Sequence, residues 1–207
     1  MANKFASMNG ETINGYHEDT LVTDVKCDLS LILQENKQLL EKLDSGQLEQ
    51  LIAYIKSVDH RIFVYGAGRT GLALKAAAMR LMHLGYHVHV VGETTTPAIA
   101  IGDMLLVASG SGTTSSIVSA AQKARKASAT VVALTTAPES PLVTYANTIV
   151  TIPAAQKQDH GETVSAQYAG SLFEQGVWLL MDAVFHALWK DDGTPAEQLW
   201  KRHANLE

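Results

Sequence analysis

Cysteine is almost absent from this chain of 207 residues: Cys27 stands alone. One thiol excludes an intrachain disulfide and a cysteine-rich metal site, and it reads as a buried, inert side chain. Long apolar runs are missing as well, none approaching the ~18 residues of a membrane span, so no membrane association is expected. Met1 to Thr20 lack the basic and apolar blocks of a signal peptide, which makes the cytoplasm the expected location. Positive charge is not in excess; a net charge of -5 offers nothing to a nucleic-acid backbone. No G-x-x-x-x-G-K-[ST] phosphate loop occurs. What remains is a globular composition, 46% hydrophobic and 18% charged, in a length that suits one domain with a substantial core.

The order of elements is legible. Residues 1–24 read as a flexible polar tail ahead of a single domain, 25–207. Val25, Leu29, Ile32, Leu33, Leu39, Leu40 and Leu43 recur at helical spacing, and a second amphipathic run covers Leu48 to Val58. Arg61 to Gly66 is a short apolar run ending in glycine, the pattern of a buried strand. A helix over Gly71 to Leu84 follows, then strands at His87 to Val91, Met104 to Ala108, Thr130 to Leu134 and Thr148 to Ile152. A helix over Ser115 to Lys126 separates the third strand from the fourth. A polar loop, Pro153 to Thr163, leads to an apolar helix from about Ser165 to Trp189, and a last helix begins near Pro195. Strands alternating with helices imply a five-stranded parallel sheet in a three-layer α/β/α fold.

Open sheets of this kind bind ligands beyond the carboxyl ends of their strands. Two loops lie there, and in a strand order 2-1-3-4-5 they face each other. Ser109-Gly-Ser-Gly-Thr-Thr114 follows the third strand. Gly110 and Gly112 allow a tight turn, the next helix brings its positive end, and Ser109, Ser111, Thr113 and Thr114 add uncharged hydroxyl donors. A capping residue needs one hydroxyl; four within six residues suit a phosphate monoester. Gly66-Ala-Gly-Arg-Thr-Gly71 follows the first strand. It matches G-x-G-x-x-G, with Glu93 about 20 residues on where a dinucleotide site places its ribose-binding acid. Arg69 and Thr70 suit an anionic sugar phosphate equally well, so both readings stand at this point. His83, His87 and His89 have no acidic or cysteine partner at ligand spacing, and no metal is expected.

These two loops together resemble the sugar isomerase (SIS) domain family. Met79-Arg-Leu-Met-His-Leu-Gly85, Val91-Gly-Glu-Thr-Thr-Thr-Pro97, Ser171-Leu-Phe-Glu-Gln175 and Arg202-His-Ala-Asn-Leu-Glu207 narrow the likeness to the 6-phospho-3-hexuloisomerases, from about Val25 onward. The resemblance implies a five-stranded SIS fold of order 2-1-3-4-5, a homotetramer, and interconversion of 3-hexulose 6-phosphate and fructose 6-phosphate without a cofactor. It also implies a pathway partner, the hexulose-phosphate synthase of the ribulose monophosphate route that fixes formaldehyde. By the same match Ser109, Ser111 and Thr114 hold the phosphate, Arg69 and Thr70 face it, and Glu174 transfers the proton. Thr113 stands where the family often has glutamate and Thr70 where serine is common; both keep a hydroxyl at the loop.

Moving a carbonyl from C3 to C2 removes the C2 proton, passes through an enediol and reprotonates C3. One carboxylate between the two carbons can do both transfers. His203 is a candidate for the second role, because imidazole donates or accepts near neutrality, in its own subunit or a neighbour's. Glu93 is read as a contact to sugar hydroxyls. Three alternatives remain: a non-catalytic SIS module that senses a sugar phosphate, a nicotinamide-dependent oxidoreductase using Gly66 to Gly71, and an isomerase of another sugar phosphate.

Overall fold

The computed structural model describes residues 14–155 and 165–206. The chain divides into two units, Met1–Gln34 and Glu35–Glu207. Helix α1 (Asn14–Leu40) begins in the first. Residues 20–31 of it are exposed throughout, Leu21, Val22, Val25 and Leu29 included. Residues 14–24, expected to belong to a flexible tail, are therefore helical, while residues 1–13 of that tail lie outside the described residues. Cys27 is exposed rather than buried, since it sits on this solvated stretch of helix.

The second unit contains α2 (Ser45–Lys56), β1 (Arg61–Gly66), α3 (Gly68–Leu84), β2 (His87–Val90), β3 (Met104–Ala108), α4 (Ser115–Lys126), β4 (Thr130–Thr135), β5 (Thr148–Thr151), α5 (Ser171–Asp192) and α6 (Ala196–Trp200). The Asp44 carboxylate starts α2 by accepting the Gln47 N–H at 2.8 Å. The strands form one sheet in the order β2-β1-β3-β4-β5, and every neighbouring pair is parallel, as the alternation of strands and helices predicts.

The pleat sends successive side chains to opposite faces. Ile62, Val64, Leu106, Val132 and Leu134 pack beneath α3 and α5 through Leu74, Leu81, Val177 and Met181. Phe63, Leu105, Val107, Val131 and Ala133 meet Ile117, Ala121 and Ala124 of α4 on the other face. Burial on both sides is why the central strands read as unbroken apolar runs.

Two helix starts differ from expectation. Helix α3 begins at Gly68, so most of the first glycine loop is already its first turn. Helix α5 begins at Ser171 and not near Ser165, because Gly170 before it takes the left-handed backbone, φ 81°. Residues 156–163 of the expected polar loop lie outside the described residues. Among the described residues no helix is long and apolar enough to cross a membrane. From β1 the chain turns outward to β2, and from β3 it turns the other way to β4, with α3 and α4 on opposite faces. This divergence opens a crevice at the carboxyl ends of β1 and β3.

Candidate active site

The loop after β3 is held rigidly. The Gly110 carbonyl accepts three hydrogen bonds from the end of β4: from Thr136 N–H at 3.1 Å, Thr136 Oγ1 at 2.8 Å and Thr135 Oγ1 at 3.1 Å. Gly112 donates its N–H to Ser109 O at 3.1 Å and accepts from Leu142 N–H at 3.1 Å. Its backbone is left-handed, φ 61°, and a Cβ there would collide with the side chain of Ser140. The four hydroxyls pair: Ser109 Oγ with Thr114 Oγ1 at 3.2 Å, and Thr113 Oγ1 donating to Ser111 Oγ at 2.9 Å. Thr114 is the residue that caps α4, yet its hydroxyl makes no cap bond to the helix. Ile117 and Val118 donate to Thr114 O, which leaves the Ser115 and Ser116 N–H groups at the start of α4 to face an anion together with these hydroxyls.

The first glycine loop has a packing explanation. A Cβ on Gly71 would run into the Gly66 carbonyl, and one on Gly66 would lie 3.0 Å from the Gly71 nitrogen. Two of the three glycines thus let α3 press backbone to backbone on β1, which accounts for the dinucleotide-like spacing by helix–strand packing. Thr70, buried, lines the cleft from this loop, and the neighbouring Arg69 is largely exposed.

These loops enclose a cleft of about 350 Å³. Thr70, Ser109, Ser111, Thr113 and Thr114 supply its polar wall, and Ile117 and Phe173 its apolar one. Next to Phe173, in the first turn of α5, the Glu174 carboxylate is 7% exposed, and Arg69 Nε donates to its Oε2 at 2.6 Å. The fold therefore sets a buried carboxylate, paired with a guanidinium, one residue beyond Phe173 at the edge of the hydroxyl-rich cleft; neither Glu174 nor Arg69 is itself part of the cleft wall.

Two expected residues are placed elsewhere. Glu93 pairs with Lys75 at 3.3 Å, both about half exposed, and does not line the cleft. His203 stacks on His83 and Trp200 with ring centroids 4.0 and 4.5 Å apart. His83 is at the carboxyl end of α3, fourteen residues from Arg69 and so about 20 Å away at 1.5 Å per residue. Within one chain His203 does not reach this cleft. Burial, followed by the charges of His203, Arg80 and Arg202, holds the His83 imidazole below its ordinary pKa. Sequence reasoning missed Phe173 and Ile117 as walls of the site, and Thr135 and Thr136 as supports of the loop. The position of the two threonines at the carboxyl end of a strand was the available signal for them.

A hydroxyl-lined cleft at the switch point of a parallel sheet, with a carboxylate beside it, defines the class: an α/β protein with its candidate site in that crevice. The chain belongs to the SIS domain family, which matches residues 55–175. It is 54% identical to the 3-hexulose-6-phosphate isomerase of Mycobacterium gastri over 184 residues, 89% of this chain and 92% of that protein. It is 42% identical to the enzyme of the same name from Bacillus subtilis, over 85% of this chain and 95% of the relative. A solved structure from Methanococcus jannaschii, for which the function of a 3-hexulose-6-phosphate isomerase was inferred, superposes with a TM-score of 0.75 at 29% identity, covering 87% of this chain and 99% of its own.

Proposed function

We propose that this protein is an isomerase that interconverts 3-hexulose 6-phosphate and fructose 6-phosphate. The observation that carries the reading is the buried Glu174 carboxylate beside a hydroxyl-lined cleft, in a chain so similar to isomerases of that name. The substrate phosphate sits against Ser109, Ser111, Thr113, Thr114 and the start of α4, with Thr70 opposite. This leaves C2 and C3 toward α5. Glu174 takes the C2 proton and returns it at C3, and Arg69, already on the carboxylate, holds it in place and neutralises charge around the enediolate. The reaction is redox-neutral: the carbon-bound proton passes from C2 to C3 and a hydroxyl proton from O2 to O3, so the proposed chemistry uses no cofactor.

Exposed apolar side chains support a homo-oligomer, for which the expected form is a tetramer: Leu21, Val25 and Leu29 on α1, Leu72 and Met79 on α3, and Trp178 on α5. His203, remote from the cleft of its own chain, would serve only a neighbouring subunit's. The expected setting is cytoplasmic, downstream of a hexulose-phosphate synthase.

The test supplies ribulose 5-phosphate, formaldehyde and such a synthase, and measures fructose 6-phosphate with a metal chelator present. Wild type forms product, and Glu174→Gln loses on the order of 10²–10⁴-fold in kcat, the range of general acid–base catalysis. Binding of fructose 6-phosphate without turnover by wild type would instead favour the sensing module.

A further inference from the structure

Glu35, in the part of α1 that belongs to the second unit, gathers a turn more than a hundred residues away. Its carboxylate accepts from Ser165 Oγ at 2.6 Å, Ala166 N–H at 2.8 Å and Gln167 Nε2 at 2.9 Å. Ser165 Oγ in turn accepts the Gln167 N–H at 3.0 Å. The side chains then continue as a chain: Gln175 Nε2 donates to Gln167 Oε1 at 2.8 Å, and Asn36 Nδ2 donates to Gln175 Oε1 at 2.6 Å. Burial raises the Glu35 pKa, but the bonds from Ser165, Gln167 and Ala166 outweigh it and leave the group below its ordinary value.

A carboxylate only accepts, and this sets the direction of the whole chain. Gln167 must turn its amide nitrogen toward Glu35, which presents its oxygen to Gln175. Gln175 must then present its own oxygen to Asn36. The anchored turn runs directly into the site. Tyr168 O accepts the Ser171 N–H, and Gly170 O accepts the Glu174 N–H, each at 3.1 Å. Gly170 lines the cleft, and Gln175 is the neighbour of Glu174 in the first turn of α5.

We infer that Glu35 is a positioning residue for proton transfer: it fixes the turn before α5 and, through Gln167 and Gln175, the helical turn that carries Glu174. The inference rests on the reading of Glu174 as the base. Proton transfer is sensitive to such placement, since a 1 Å error can cost about 10²-fold. Glu35→Gln keeps the shape of the side chain but puts an amide nitrogen among donors, so either the Ala166 N–H loses its acceptor or the Gln167 amide must turn over.

The experiment compares wild type, Glu35→Gln, Glu174→Gln and the double variant in the coupled assay, with thermal unfolding of each. The expected result is a kcat lowered about tenfold or more by Glu35→Gln with KM changed less than about twofold, the mark of an interaction made in the transition state. The same substitution has no further effect in the Glu174→Gln background, because its role passes through that carboxylate. Wild-type kcat in Glu35→Gln, or an equal loss in both backgrounds, overturns the inference while leaving Glu174 as the base. Wild-type kcat in Glu174→Gln overturns both. If Glu35→Gln does not fold, Gln167→Met interrupts the chain while keeping the Glu35 bonds to Ser165 and Ala166, and the same criteria apply to it.

Discussion

Gly112→Ala is the sharpest test of the loop after β3, because two separate costs meet at one Cα. The backbone there is left-handed, φ 61°, which costs an L-residue roughly 1–2 kcal/mol. The added methyl also lands on the Cβ and Oγ of Ser140, and overpacking of this kind costs about 1–3 kcal/mol. The loop cannot slide away cheaply, since both the N–H and the carbonyl of Gly112 are bonded, to Ser109 and Leu142. Together the two effects predict a loss of about 2–5 kcal/mol in urea unfolding, with a raised KM for the sugar phosphate. Ser140→Gly in the same chain removes the obstructing side chain and restores only the packing share, leaving about 1–2 kcal/mol of backbone cost. A loss below about 0.5 kcal/mol for Gly112→Ala, the scale of an ordinary surface change, would refute the reasoning. So would full recovery by Ser140→Gly.

Two further outcomes are expected. His83 has a lowered pKa in the folded protein, so the unfolded chain takes up the proton first as pH falls; stability is complete above the ordinary histidine value of about 6.5 and declines below it. Melting temperature measured from pH 7.5 to 5.5 should drop in wild type and flatten in His83→Phe; equal slopes would show that His83 contributes nothing. Asp103, 1% exposed, accepts from Arg61 Nε at 3.0 Å, Arg61 Nη2 at 2.8 Å and Ala100 N–H at 2.7 Å. Asp103→Ala removes the acceptor of all three bonds and lowers stability in chemical denaturation, though Arg61 keeps its Nη2 bond to Ala98 O; kcat should hold, because this pair closes the amino ends of β1 and β3 while the cleft opens at their carboxyl ends.

Local sequence carried what depends on neighbours along the chain. The apolar runs Arg61 to Gly66, Met104 to Ala108 and Thr130 to Leu134 are strands buried on both faces, and their alternation with helices sufficed for a parallel sheet. The loop Ser109 to Thr114 was legible as a tight turn into a helix start, lined with hydroxyls, because glycines, hydroxyls and the next helix occur within a few residues. Tertiary structure decided what depends on distance in space. Only the crossovers bring Glu174 to Arg69 across 105 residues, and Glu35 to Ser165 across 130. The start of α5 hung on a left-handed Gly170, which no periodicity reveals. G-x-G-x-x-G left two readings open in the sequence, and only the structure shows that Gly66 and Gly71 are required by the close approach of α3 to β1. His203 sat near the end of a suggestive motif, but the length of α3 separates it from the cleft of its own chain. Hydrophobic period and turn chemistry are properties of short segments, whereas a catalytic constellation is a set of distances that exists only once the sheet is assembled.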